Sequence, residues 1–152
     1  MQNIKEFMAD DHRQCDDFFV AVEKDVAKND WQSALGSFSR FHEAMLRHFA
    51  AEESVLFPAF EAQTGIAMGP TQVMRGEHIQ LRELMASAEQ ALFSRDGETY
   101  AGEAETLLIM MQQHNMKEEN VLYPMCDQHL LERAGALLPI LQGAIHPSRI
   151  DG

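Results

Sequence analysis

HFAAEESVLFP (His48 to Pro58) and HNMKEENVLYP (His114 to Pro124) are two versions of one pattern, standing 66 residues apart. Each sets a histidine four residues before a glutamate, a spacing that brings both side chains to one face of a helix. The same offset carries outward along the chain: His12 onto His78, Asp30 onto Asp96, Met8 onto Met74 and Met45 onto Met111. The chain therefore reads as two similar halves. A repeat of this kind constrains the architecture before other signals are weighed.

Four segments carry helical periodicity. Met8, His12, Cys15, Phe19, Val22 and Val26 step by four and three. So do Phe41, Met45, His48, Glu52, Val55 and Ala59 in the second segment. Met74, His78, Leu81, Met85, Ala88 and Leu92 form the third seam, and Leu107, Met111, His114, Glu118, Val121 and Met125 the fourth. Such seams mark the inward faces of a helix bundle. Asn29-Asp30 and Asp96-Gly97 break the pairs, while Gly65, Gly69 and Pro70 mark a longer link between the halves. The spacing predicts helices at about 3–27, 31–62, 71–94 and 98–128.

These elements predict an all-α fold, an up-down-up-down four-helix bundle with an internal pseudo-twofold duplication. Leu130 to Gln142, interrupted by Gly135 and Pro139, is expected to form a short C-terminal fifth helix, capping the bundle or joining a partner subunit in a homodimer. HPSRIDG, at the end, reads as a frayed tail. At 152 residues the chain is expected to be a single domain over 1–152, with the bundle at about 3–128. A domain of that size buries roughly 70% of its unfolded surface and needs no disulfide staples.

The formal net charge is −12, from 24 acids against 12 Lys and Arg. That argues against nucleic acid or an anionic membrane as partner, since phosphate binding relies on basic patches. MQNIKEFMADDH has no apolar run of the kind a signal peptide needs, and no segment approaches the ~20 apolar residues of a membrane span. A soluble, cytoplasmic protein is the expectation. Cys15 and Cys126 lie far apart without CxxC spacing, so neither a disulfide framework nor a thiolate zinc site is suggested.

The seams hold the unusual feature. Leu, Met and Phe belong there, yet His12, His48, Glu52, His78, His114 and Glu118 occupy six of the positions. A buried carboxylate without a partner costs several kcal/mol or must neutralise. A pair of cations resolves that cost. Two imidazoles per ion and two shared glutamates suit iron, manganese or zinc, with no thiolate to favour a softer metal. Coordination positions left to solvent would accept dioxygen, peroxide or nitric oxide. A single HxxxE is a weak signal; its repetition, with a lone seam histidine upstream in each half, is far more specific.

Asp11-His12, HFAAEESVLFP, EHIQL (Glu77 to Leu81) and HNMKEENVLYP together resemble the hemerythrin HHE cation-binding family over about residues 5–128. The resemblance implies a non-haem di-iron centre with oxo or hydroxo and carboxylate bridges. Its histidines fall on His12, His48, His78 and His114, and its bridging acids on Glu52 and Glu118. The oxygen-carrying members have a further histidine one turn before the third-helix ligand, where this chain has Met74. They also end in His-x4-Asp, where this chain has His114-x3-Glu118 and then Glu119. The pattern is more similar to bacterial HHE proteins and to repair-of-iron-centres proteins of nitrosative and oxidative stress. The implied function is binding or sensing of dioxygen, peroxide or nitric oxide through a redox partner the sequence does not identify. The alternatives are iron handling or donation to damaged iron centres, and a peroxidase-like enzyme. No nucleophile–base pair or nucleotide fingerprint marks a dedicated enzyme.

Other residues read more plainly. His42 is off the seam, and its counterpart is Leu108, so it is expected at the surface or outside the ligand set. His129 and His146 are expected to be solvated. Glu53 and Glu119 repeat in both halves and read either as outer partners of ligand imidazoles or as a solvated face. Cys15 is a small seam hydrophobe, whereas Cys126, after Pro124, is expected to be more accessible. The ten methionines read as core packing. Pro58 and Pro124 are expected to kink or end their helices. Helical geometry does not bring the Tyr123 hydroxyl to the metals.

Overall fold

Helix starts are set by short polar side chains. Asn3 begins α1 (Ile4–Ala27) by accepting from the Glu6 amide at 2.7 Å. Asp30 does the same for α2 (Trp31–Ala51), from the Ser33 amide at 3.2 Å. Asp96 starts α5 (Gly97–Lys117) by accepting from the Thr99 amide at 3.1 Å. Each satisfies an amide that the helix itself leaves free. Immediately before the two aspartates, Asn29 (φ 55°) and Arg95 (φ 54°) are both left-handed. The two turns, 66 residues apart, thus share one conformation. Between the halves, Gly65 (φ 73°) closes α3 (Phe57–Thr64) and Pro70 opens α4 (Pro70–Phe93), where its missing N–H costs nothing.

The computed structural model describes residues 2–147, and every element within them is helical. The tail beyond His146-Pro147, expected to fray, lies outside the described residues. α1 packs chiefly on α2 and α4 on α5; α2 also meets α4, and α1 meets α6 (Tyr123–His129). A short 3₁₀ turn, Leu131–Arg133, leads to α7 (Ala134–Ile145), the expected fifth helix, which runs through Pro139 and past Gln142. Its Leu137, Leu138, Leu141 and Ile145 pack into a cluster with Phe7, Leu56, Phe60 and Tyr123, so it caps the bundle. A second cluster, around Phe19, Phe38, Phe41, Met85, Leu92 and Met111, fills the opposite end.

The two prolines, expected to kink or end their helices, do not end them. α2 passes through a π-turn (Glu52–Leu56) into α3, and α5 through another (Glu118–Leu122) into α6. Phe57 N–H donates to the Glu52 carbonyl and Tyr123 N–H to the Glu118 carbonyl, five residues back instead of four. A proline lacks an N–H, and its ring crowds the carbonyl four residues back in an α-helix. The wider turn just before Pro58 and Pro124 relieves that crowding, and the helices continue to Thr64 and His129.

The extra residue also corrects the seam. α-Periodicity places Val55, Ala59, Val121 and Met125 inside, but Val121 is 52% exposed and Val55 and Met125 are only partly buried. Leu56, Phe57 and Phe60, with Leu122, Tyr123 and Cys126, take the interior instead. Cys126 is correspondingly buried, against the expectation of access. Burial, with the nearby Glu52, Asp127 and Glu118 charges, pushes its thiol far above the ordinary range.

Candidate metal centre

One side chain from each long helix reaches the layer between the two apolar clusters: His12 from α1, His48 from α2, His78 from α4 and His114 from α5. Glu52 and Glu118 open the two π-turns, one helical turn beyond His48 and His114. None of these six residues is more than 5% exposed, and both glutamates are fully buried. The structure brings them all together. His12 Nε2 lies 3.1 Å from Glu118 Oε1, and His114 Nε2 lies 3.3 Å from the same oxygen. His78 Nε2 lies 3.1 Å from Glu52 Oε1, and His48 Nε2 3.6 Å from it. Two groups result, each compact enough to hold a cation: Glu52, His78, His114 and Glu118, and His12, His48 and Glu118.

The far nitrogen of every imidazole is held by a carboxylate. His12 Nδ1 donates to Glu119 at 2.7 Å and His78 Nδ1 to Glu53 at 2.6 Å. His48 Nδ1 donates to Asp11 and His114 Nδ1 to Glu77, both at 2.8 Å. An ionised carboxylate only accepts, so each Nδ1 carries a proton, and all four Nε2 atoms face inward. Glu53 and Glu119 are therefore partners of imidazoles and not merely a solvated face. Sequence reasoning missed Asp11 and Glu77 in that role. The signal was present: each is an acid directly preceding a seam histidine, and they too are 66 residues apart. Each orients the imidazole of a neighbouring helix.

Charge in this layer is strongly coupled. Burial raises the Glu52 carboxyl, and the Glu118 charge beside it adds to the effect. Burial opposes charge on Glu118 as well, but a hydrogen bond with Glu52 and the His114 charge outweigh it and hold that carboxyl well below its usual range. Burial likewise opposes charge on His12, yet hydrogen bonds with Glu118 and Glu119 raise it to about 10. For His114, burial is outweighed by the Glu118 charge and hydrogen bond, raising it to about 9. Left to protons alone, the cluster must hold extra ones to balance its carboxylates.

Glu52 Oε1, Glu118 Oε2, His78 Nε2 and His114 Nε2 are buried without a hydrogen-bond partner among the described residues. Buried polar atoms are rarely left so, and each such atom costs about 1–3 kcal/mol. All four face one another, and all four are electron-pair donors suited to a cation. The residues fit a metal.

Tertiary structure decides the place of Tyr123, which helical geometry alone does not. Its hydroxyl lies 2.8 Å from Glu52 Oε2, 2.9 Å from Glu118 Oε1, 3.1 Å from His48 Nε2 and 3.3 Å from His12 Nε2. In an α-helix, five residues turn a side chain about 140° from its starting direction. The π-turn brings Tyr123 back over Glu118. Its counterpart in the first half is Phe57, whose ring stacks on His78 at 5.8 Å between centroids, inside a closer stack of Phe49 at 4.0 Å.

The remaining histidines stay outside. His42 is half-buried beside Phe38 and His129 is exposed, as expected. His146, expected in solvent, is half-buried with its ring edge-on to Phe7, because α7 folds back on α1. Cys15 is buried and unpaired on the seam. Among the described residues no helix is long and apolar enough to cross a membrane.

A helical bundle with carboxylate-anchored imidazoles and two glutamates aimed into its interior is the arrangement of a metal-binding bundle. The chain belongs to the hemerythrin HHE cation binding domain family, which matches residues 3–126. Neither a curated protein nor a solved structure matches it.

Proposed function

We propose that the chain is a non-haem di-iron protein that binds or senses dioxygen, peroxide or nitric oxide. His12, His48, His78, His114, Glu52 and Glu118 are its ligands. The observation that carries this reading is the set of four inward Nε2 atoms, each ring fixed by an Nδ1 bond to a carboxylate. Such outer bonds orient a ligand imidazole and raise its basicity.

Charge supports the number of ions. Asp11, Glu52, Glu53, Glu77, Glu118 and Glu119 are six carboxylates in and around the cluster, and among the described Lys and Arg residues only Arg82 and Lys117 pair directly with them. The shortfall of four positive charges matches two divalent cations. Two imidazoles with a carboxylate, and no thiolate, suit iron, manganese or zinc alike. Membership of the hemerythrin family is what favours iron.

Bound iron would supply open coordination positions and redox electrons for a small ligand. The chain's own part is to orient and to exclude. Phe49 and Phe57 cover His78 and keep water from its ring. Glu53 and Glu119 hold the His78 and His12 Nδ1 protons, leaving Nε2 as the atom each ring turns to the interior. Buried, unpaired Cys15 and Cys126 suit a reducing compartment such as the cytoplasm.

Metal analysis of purified protein tests the reading directly. Two irons per chain, with metal released and the melting temperature lowered in His48→Ala and His114→Ala, are expected because ligand binding adds to folding stability. A stable, metal-free protein whose melting temperature ignores both substitutions would overturn it.

A further inference from the structure

The two halves agree at every proposed ligand, yet they differ at a position aimed into the same layer: Phe57 in the first half, Tyr123 in the second. We propose that the Tyr123 phenol oxygen is a further ligand of the ion held by His12 and His48, leaving the ion at His78 and His114 to take the small exogenous ligand. The inference rests on the di-iron reading and adds the side at which chemistry occurs.

Distances argue for it first. Neighbouring ligands on one ion, each about 2.1 Å from the metal, stand about 3 Å apart at right angles. The Tyr123 oxygen is 2.8–3.3 Å from Glu52 Oε2, Glu118 Oε1, His48 Nε2 and His12 Nε2. Those are spacings between atoms sharing a coordination shell.

Hydrogen counting shows what the ion would replace. The phenol faces two carboxylate oxygens and two imidazole nitrogens. Without metal, extra protons must lie among these atoms; a cation held by them and the phenol oxygen takes the place of those protons. When the ion binds, the phenol O–H bond breaks, its proton leaves to solvent, and a metal–oxygen bond forms with the electron pair.

The other end lacks such an oxygen. The imidazole nitrogens without partners are those of His78 and His114, and the residue over them is a phenylalanine. A cleft of about 370 Å³ between α4 and α5, lined by Glu77, Gln80, Met110 and Gln113, includes His114 itself in its wall. The cleft between α1 and α7, about 460 Å³, reaches Asp11 but neither His12 nor His48. At this end the cleft reaches the outer edge of a proposed ligand imidazole, whose Nε2 stays buried.

The test uses the full chain loaded with iron in the ferric form, with azide as the exogenous probe. Resonance Raman excitation in the visible band is expected to enhance phenolate ring modes. They should shift when the protein is grown on ring-deuterated tyrosine. They should vanish in Tyr123→Phe and persist in Tyr100→Phe, the chain having only these two tyrosines. Azide is expected to bind once per iron pair in the parent protein and twice in Tyr123→Phe. Iron-loaded protein without phenolate modes, or modes that survive Tyr123→Phe, would overturn the proposal while leaving the di-iron reading intact. A parent protein that takes up no iron would overturn both. The deuterated parent gives its answer without any variant having to fold.

Discussion

The His78 and His114 end of the centre differs from the His12 and His48 end in what stands behind its imidazoles. Glu53, which holds His78, is clamped by Arg82 at 2.9 and 3.0 Å, and Glu77, which holds His114, is paired with Lys117. Arg82 is matched in the other half by Asp16, and Lys117 by Ala51. Asp11 and Glu119 have no Lys or Arg within ion-pair distance among the described residues. A carboxylate already neutralised by a cation pulls less on the imidazole proton than one left free. Equivalent ligands thus face unequal outer charge. The end with the unrelieved carboxylates also carries the phenol, so it has the stronger donors and favours the more highly charged ion. A repeat in sequence does not make the two ends of the cluster equivalent.

The harshest test of this comparison is Glu118, which belongs to both candidate groups. Glu118→Ala is expected to empty both positions, whereas His12→Ala and His78→Ala should each lower metal content by about half, read by elemental analysis. Equal losses in all three variants would show that the ions bind as an indivisible pair and break the distinction between ends. Next come the outer acids. Glu119→Ala and Glu53→Ala should each weaken metal affinity about 10–100-fold in chelator competition, a common effect of losing such a partner. The Glu119 loss should be the larger, because no cation shares its charge. The opposite order would refute the reading of unequal donors.

Phe57→Tyr asks whether a phenol can be placed at the second end. It is expected to strengthen the phenolate signature and to weaken azide binding about tenfold, or about 1.4 kcal/mol. Unchanged azide affinity would indicate that the exogenous ligand binds elsewhere. The mildest effect concerns pH in the metal-free protein. His12 and His114, one from each end, are raised to about 10 and about 9. Their contribution to stability is complete below the ordinary value of about 6.5 and is lost as pH rises through those raised values. The melting temperature of the metal-free form should therefore fall between about pH 7 and 10. The metal-loaded form should resist that fall, since the ions replace the protons. Parallel curves for the two forms would contradict the account.

Much of this was legible in the chain. Seam periodicity gave the long helices within a few residues, and the Asn29-Asp30 and Asp96-Gly97 breaks fell where the turns are. Spacing brought His48 to Glu52 and His114 to Glu118, because residues four apart share a face in any α-helix. The errors lie where that rule stops. α-Periodicity carried through a π-turn puts Val121 inside, and a kink at Pro124 puts Cys126 within reach of solvent. VLFP and VLYP held a hint, a proline in mid-helix that demands local relief.

The sequence by itself determined the helical class, the repeated halves and the residues aimed at the interior, since these follow from local spacing and from the cost of burying charge. Only the tertiary structure decided that Asp11 holds His48, that Glu77 holds His114 and that the Tyr123 hydroxyl enters the cluster. Those contacts join residues on different helices, or residues on one helix whose phase a wider turn has shifted. Their geometry depends on how the helices meet, which no single helix's periodicity can express.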